Sequence, residues 1–175
     1  MLQKILLLIL PLLAFSHSDE NLIEWSASRK LKWEDFKGTP NPTSTNAALT
    51  NSSITVEFGY NQKGLTHSIK CRFNKSLSWG RIKNDYILKH EQGHFDIAEI
   101  HARLLHKSLK NYEFNAATVS NDVNRIYQDI INRHVDTQKQ YDLQTNHSID
   151  SASQRIWDTR IEKMLDDNSK YAEYK

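Results

Sequence analysis

Two histidines and a glutamate stand at a spacing that suits metal chemistry. The segment His90-Glu91-Gln92-Gly93-His94 contains the pattern His-Glu-x-x-His. On a helix, residues four apart share one face, so the imidazoles of His90 and His94 can converge on a single Zn²⁺. Glu91 would stand beside the ion as the general base towards a zinc-bound water. The spacing predicts a hydrolase; the alternative is a pair of packed, inert histidines.

The chain around this motif carries the pattern of a long helix. Apolar residues recur at intervals of three and four from Ile87 to Leu109, and Asn84 or Asp85 can cap the start. We expect one helix over about 85–110. Its apolar residues cover more than one stripe, which indicates burial over much of its circumference.

Two further helices are expected after the first. The apolar pattern from Val119 onward predicts a helix over about 117–141 that returns antiparallel to the first helix. The segment from Tyr141 to His147 interrupts the pattern and is expected to be non-helical, with Ser148 as the cap of a third helix. The charged tail over 166–175 is expected to fray.

Before these helices, residues 53–73 alternate apolar with polar on both sides of a turn at 61–64. This period of two is typical of an antiparallel hairpin with one buried face. The fold class is therefore α+β: a small antiparallel β-sheet or hairpin is followed by a three-helix region, with the metal motif on the first long helix.

Composition limits the classes of protein. The chain has 175 residues, of which 38% are hydrophobic and 25% charged, and its formal net charge is +2. These values indicate one globular domain over 19–175, and the lack of a basic surface pattern makes nucleic acid an unlikely partner class. Residues 1–18 read as a signal peptide too short to span a bilayer, so we expect export to the periplasm or exterior and no stable membrane anchor after cleavage.

The third metal ligand is not decided by these patterns. His101 shares a face with His94, but a straight helix places it about 10 Å further along, out of reach of a shared ion. A helical hairpin centred near Phe114 would bring His134 opposite His94. Asp142 and His147, in the expected break between helices, are the other candidates.

Three separated blocks carry a recognisable combination of residues. They are Leu31-x-Trp33-x-Asp35-Phe36-x-Gly38-x-Pro40, His90 to Asp96, and Tyr141-Asp142-x-x-Thr145-x-His147-Ser148 with Gln154 and Trp157 beyond. Together they resemble a bacterial family that carries a domain-of-unknown-function label and is described as predicted secreted zinc-dependent proteases. The resemblance implies that the third block belongs with the metal motif, which favours His147 as the third ligand, with Asp142 next and His134 after it.

The expected function is that of an exported zinc-dependent hydrolase, a metallopeptidase acting on a peptide or protein substrate. Zn²⁺ is the expected cofactor, Glu91 the general base and Tyr141 a candidate donor to the developing oxyanion. The alternative is a non-enzymatic envelope protein in which a structural metal, or merely the packed histidines, stabilises the helices.

Overall fold

The computed structural model describes residues 20–174, so the expected signal peptide over 1–18 lies outside the described residues. Five strands precede three long helices, which confirms the α+β class. The elements are β1 (Leu22–Glu24), β2 (Ala48–Leu49), β3 (Ser52–Asn61), β4 (Gly64–Asn74), β5 (Trp79–Gly80), α1 (Asp85–Lys110), α2 (Val119–Thr145) and α3 (Ser151–Asp167), with 3₁₀ turns at Trp33–Asp35 and Ser169–Tyr171. Among residues 20–174, none of the helices has the length and apolar character needed to cross a membrane.

The expected hairpin is formed by β3 and β4. Its antiparallel ladder runs from Ser52 opposite Phe73 to Asn61 opposite Gly64, and Gly64 takes the positive φ of 121° that the turn requires. β1 pairs with the other side of β4, so the sheet order is β1-β4-β3, while β2 and β5 form a separate pair. The buried side chains of β4, which include Ile69, face the helices.

α1 is the central element of the molecule. Its start is capped by Asn84, whose side chain accepts a hydrogen bond from the amide of Ile87 at 2.9 Å. One side of α1, represented by Phe95 and Ala98, packs in the core with the sheet and α2. Ile97, on another side, packs against α2 and α3 residues in a second cluster. The expected burial over much of the circumference is confirmed.

Gln92 and Asp96 attach α1 to the N-terminal segment. Gln92 lies between the two motif histidines, and Asp96 lies two residues after the second. Oε1 of Gln92 accepts a hydrogen bond from the amide of Leu31 at 2.8 Å. Oδ1 of Asp96 accepts hydrogen bonds from Nε1 of Trp25 at 2.6 Å and from Nε2 of Gln92 at 2.8 Å. The aromatic N-terminal segment therefore braces the side of α1 that does not hold the histidine side chains.

The expected break at 141–147 is wrong in its first part. α2 continues to Thr145, so Asp142 lies on a helix, and a left-handed turn follows at Asn146 to Ser148. Thr145 supports the extra turn because its hydroxyl donates to the carbonyl of Tyr141 at 2.8 Å. α3 is capped by Asp150 instead of Ser148.

The expected fraying of the tail is wrong as well. α3 ends at Asp167, and the 3₁₀ turn that follows brings Tyr174 into the core. There the Tyr174 hydroxyl donates to the carboxylate of Glu99, which also pairs with Arg103 at 2.9 Å. A buried charged pair needs such additional hydrogen bonds.

The alignment of α1 with α2 depends on Gly93. A Cβ at this position would lie 2.9 Å from Cζ of Tyr141, a distance that real Cβ atoms do not show. The missing side chain lets the fully buried Tyr141 ring lie directly on α1, between the two histidines. A mid-helix glycine costs about 1 kcal/mol against alanine, and this close approach is its physical reason.

We predict that Gly93→Ala lowers the free energy of unfolding by about 1–3 kcal/mol, because overpacking against Tyr141 outweighs the gain in helix propensity. Urea unfolding in the presence of a chelator measures this without a contribution from bound metal. Gly59→Ala is the matched control, since a Cβ there makes an ordinary contact of 3.5 Å with Thr66. A Gly93→Ala variant as stable as the parent protein would contradict the steric account.

Candidate metal centre

α1 and α2 bring three potential metal ligands together. The Nε2 atoms of His90 and His94 lie 3.2 Å apart. Oδ1 of Asp142 lies 3.2 Å from the first of these atoms and 3.1 Å from the second. Ligand atoms about 2.0 Å from a tetrahedral zinc ion are separated from one another by about 3.3 Å. The triangle of His90, His94 and Asp142 therefore has dimensions that could hold one metal ion.

A glutamine on α3 sets the tautomer of His90. Nδ1 of His90 lies 2.8 Å from Oε1 of Gln154, whose Nε2 donates to Oδ1 of Asp158, also at 2.8 Å. Because an ionised carboxylate only accepts hydrogen bonds, the Gln154 amide must present its oxygen to His90. His90 therefore carries its proton on Nδ1 and directs the lone pair of Nε2 into the triangle.

A glutamine on α2 does the same for His94. Nε2 of Gln138 donates to the backbone carbonyl of His94 at 2.9 Å, so its Oε1 faces Nδ1 of the same histidine. Since the carbonyl can only accept, His94 is the donor through Nδ1, and its Nε2 lone pair is free for a ligand. Both histidines thus have the tautomer that metal binding requires.

The triangle attracts positive charge. Burial alone would lower the pKa of His94, but the hydrogen bond to Asp142 and the negative charges of Glu91 and Asp142 outweigh it and raise that pKa. Burial would raise the pKa of Asp142, but hydrogen bonds and charges from His90 and His94 hold it well below its usual range. A metal ion and a proton would therefore compete for this position.

Glu91, the expected general base, follows His90 on α1 and lines the same cavity as the triangle. The residue is buried, and its Oε2 has no hydrogen-bond partner within the described residues 20–174. A buried carboxylate oxygen without a partner is costly, so this atom calls for a donor from outside the protein, such as water. An oxygen that lacks a donor and lies near three convergent ligand atoms is what a metal centre that binds and deprotonates water would need.

The centre opens into a cavity of about 260 Å³. One wall consists of residues 46–52, which include β2, and the hydroxyl of Thr50 in this segment donates to the backbone carbonyl of Glu91 at 3.2 Å. The other wall contains the triangle together with His134, Gln138 and His147. The space is sufficient for part of a substrate next to the ligands.

His147, the third ligand favoured by the resemblance, lies beside the triangle and not within it. Its Nδ1 is 3.5 Å from Oδ1 of Asp142, and its side chain is 53% exposed at the mouth of the cavity. The group whose ligand atoms converge contains Asp142 as its third member. The reason is the alignment of the two helices, in which Gln138 lies opposite His94 and Asp142, one turn further along α2, lies level with His90.

His134 lies one turn away from the triangle. Its Nε2 is 2.9 Å from Nε2 of Gln138 and accepts a hydrogen bond from that amide. Burial, followed by the nearby His101 and His94, lowers the pKa of His134 to about 4, so it is a neutral acceptor. His101 is turned elsewhere, with Nδ1 2.8 Å from the carbonyl of Ile97.

Tyr141 packs beneath the histidines and does not line the cavity. Its ring stacks on that of His90 with centroids 4.5 Å apart and an interplanar angle of 19°. Its hydroxyl donates to the carbonyl of His90 at 3.2 Å and accepts from Nε2 of Gln154 at 2.7 Å. Burial raises the pKa of Tyr141 far above its ordinary range. The structure thus places the expected oxyanion donor in a supporting position.

Gln138 and Gln154 are the site residues that sequence reasoning missed as partners of the ligands. Gln154 occurs in the third block of the family pattern, but nothing in that pattern indicates which atom it contacts. The expected hairpin centred near Phe114 places Gln138 opposite His90, whereas the structure pairs it with His94, one turn away.

We predict that Gln138→Met weakens zinc binding about 10–100-fold, because the acceptor that holds the proton on Nδ1 of His94 is lost. Competition with a chromophoric chelator measures the affinity. Gln140→Met is the matched control, as it makes the same change at an exposed position of α2. Equal affinities of the two variants would show that Gln138 does not orient the ligand.

Comparison with known proteins identifies the family and leaves the chemistry open. No curated protein and no solved structure matches the chain significantly. A family model matches residues 18–148, a range that contains the triangle, Glu91 and the wall at 46–52. Gln154 and α3 lie beyond the matched range. The chain therefore belongs to the family described as "Bacterial protein of unknown function (DUF922)".

Proposed function

We propose that this protein is an exported zinc-dependent hydrolase, specifically a metallopeptidase. The proposal is carried by Oε2 of Glu91, which is buried and has no hydrogen-bond partner among residues 20–174, beside three convergent ligand atoms in an open cavity. Export is inferred from the N-terminal apolar sequence. Two imidazoles and one carboxylate, with a further position left for water or substrate, are a known donor set of catalytic zinc.

In this proposal His90, His94 and Asp142 hold the metal. When bound, zinc would supply Lewis acidity, which polarises a carbonyl group and makes a water molecule easier to deprotonate. His147, half exposed at the mouth of the cavity, is assigned to contact with the substrate.

Glu91 moves the protons. Its Oε2 takes a proton from the attacking water as the oxygen bonds to the substrate carbonyl carbon. The protonated carboxyl then gives that proton to the departing amine as the carbon–nitrogen bond breaks. Burial of Glu91 keeps this carboxylate away from bulk solvent, and the absence of a protein partner within residues 20–174 leaves its oxygen available.

Two rival interpretations are less well supported. A purely structural metal would be expected to have protein atoms in all four positions, whereas the converging group among the described residues has three members and opens into a cavity. Two histidines and a carboxylate also occur in non-haem iron sites. Oε2 of Glu91, which accepts no hydrogen bond from the part of the chain that the structure describes, favours hydrolysis, since hydrolysis needs a general base.

We predict that Glu91→Gln keeps stoichiometric zinc but lowers peptide hydrolysis at least about 100-fold, because the amide cannot accept the proton. Digestion of a peptide pool, read by mass spectrometry with and without chelator, measures the activity. Glu113→Gln, an exposed change of the same kind after α1, is the control and should be fully active. Full activity of Glu91→Gln would overturn the assigned role of Glu91.

A further inference from the structure

A second cavity, of about 610 Å³, adjoins the metal cavity. The two cavities share five lining residues, among them His147, and therefore lie side by side; together they are called the cleft. The shared residues are Asn46, Ala47, Ile87, His147 and Ser148.

The second cavity contains three exposed apolar side chains. Ile82 is 53% exposed, Tyr86 41% and Ile149 77%. Single exposed apolar residues are common and need no explanation. These three come from the β5–α1 connection, the first turn of α1 and the α2–α3 connection, and they meet in one cavity. Convergence of separate segments on a concave apolar surface is typical of a ligand pocket.

The left-handed turn after α2 consists of three residues that line this cleft, and Ile149 directly after the turn lines it as well. Asn146, His147 and Ser148 have φ values of 48°, 50° and 72°, which residues with side chains rarely adopt. The amide of His147 donates to the carbonyl of Asp142 at 2.9 Å, and that of Ile149 to Asn146 at 3.1 Å. Backbone hydrogen bonds of this turn therefore fix the position of Ile149 relative to Asp142, and His147 lies between these two residues in the chain.

The opposite wall offers backbone groups to an extended chain. The amide of Arg81 donates to the carbonyl of Ala47 at 2.8 Å, and Ala48 is opposite Gly80. Because hydrogen-bonded and non-hydrogen-bonded pairs alternate in an antiparallel ladder, the N–H and C=O of Ala48 face away from β5. Within residues 20–174, β2 has no strand on that other side. An extended polypeptide can bind to such an edge.

We propose that the cleft binds an extended polypeptide and that Ile82, Tyr86 and Ile149 form a subsite for a large apolar side chain next to the cleaved bond. The inference rests on the proposed peptidase function and names its substrate class. Because the apolar cavity and the metal cavity share lining residues, the occupant we assign to the apolar cavity is the substrate of that same site.

The test compares zinc-loaded wild type, Ile149→Asp, Ile149→Leu and Ile156→Asp on matched peptides that differ in one side chain beside the cleaved bond. Ile156 is the control position, because it is 68% exposed on α3 and lines neither cavity. We expect wild type to prefer Leu, Ile or Phe over Asp or Gly by about tenfold or more in kcat/KM. Ile149→Asp should lower kcat/KM for the apolar peptide about tenfold, whereas Ile156→Asp should stay within about twofold of wild type. Ile149→Leu, which keeps a large apolar side chain in the subsite, should retain the preference for apolar over acidic peptides.

The possible outcomes separate this subsite from the peptidase function. Metal-dependent cleavage without an apolar preference, or equal effects of Ile149→Asp and Ile156→Asp, would overturn the subsite and leave the peptidase proposal intact. Failure of wild type to cleave any peptide in a metal-dependent manner would overturn the peptidase proposal and the subsite with it. Thermal unfolding of each variant shows that a loss of activity is not a loss of folded protein.

Discussion

The contact between Gly93 and the ring of Tyr141 sets the alignment of α1 and α2, and the candidate metal centre of His90, His94 and Asp142 depends on that alignment. The ring occupies the volume that a side chain at Gly93 would need, and it stacks on His90 while meeting His94 edge-on. With Tyr141 fixed there, the next residue, Asp142, presents its carboxylate to both imidazoles. A shift of α2 by one turn would remove the carboxylate from the histidines altogether, since one turn is about 5.4 Å.

The chemistry of the centre follows from how protons are distributed around it. The amides of Gln138 and Gln154 are each oriented by a group that can only accept, so both histidines keep their protons on the outer nitrogen. Three acceptors then face one another, an arrangement that a cation or a shared proton stabilises. Glu91 adds a fourth acceptor without a partner within residues 20–174. The protein thus gathers acceptors at one place, which suits metal-assisted removal of a proton from water.

Sequence reasoning predicted the elements better than their alignment. The helix at 85–110 and the hairpin around 61–64 follow from local periodicity and capping, and the structure confirms both. Which residue joins His90 and His94 in the triangle depends on where the connection between α1 and α2 turns. Pairing of His94 with Gln138 puts the midpoint at Ala116, two residues beyond the expected Phe114, and this moves every α2 partner by four residues. The family resemblance ranked His147 ahead of Asp142, and neither the resemblance nor local periodicity contains information about packing such as that of Tyr141 on Gly93.

The most direct test is the zinc content of the purified mature protein and of alanine variants at the candidate ligands, measured by mass spectrometry after dialysis. The account predicts one zinc per chain in wild type and in His147→Ala, and loss of zinc in His94→Ala and Asp142→Ala with the folded helix content retained. Wild type without zinc after metal supplementation, or Asp142→Ala with full zinc while His147→Ala has none, would contradict it.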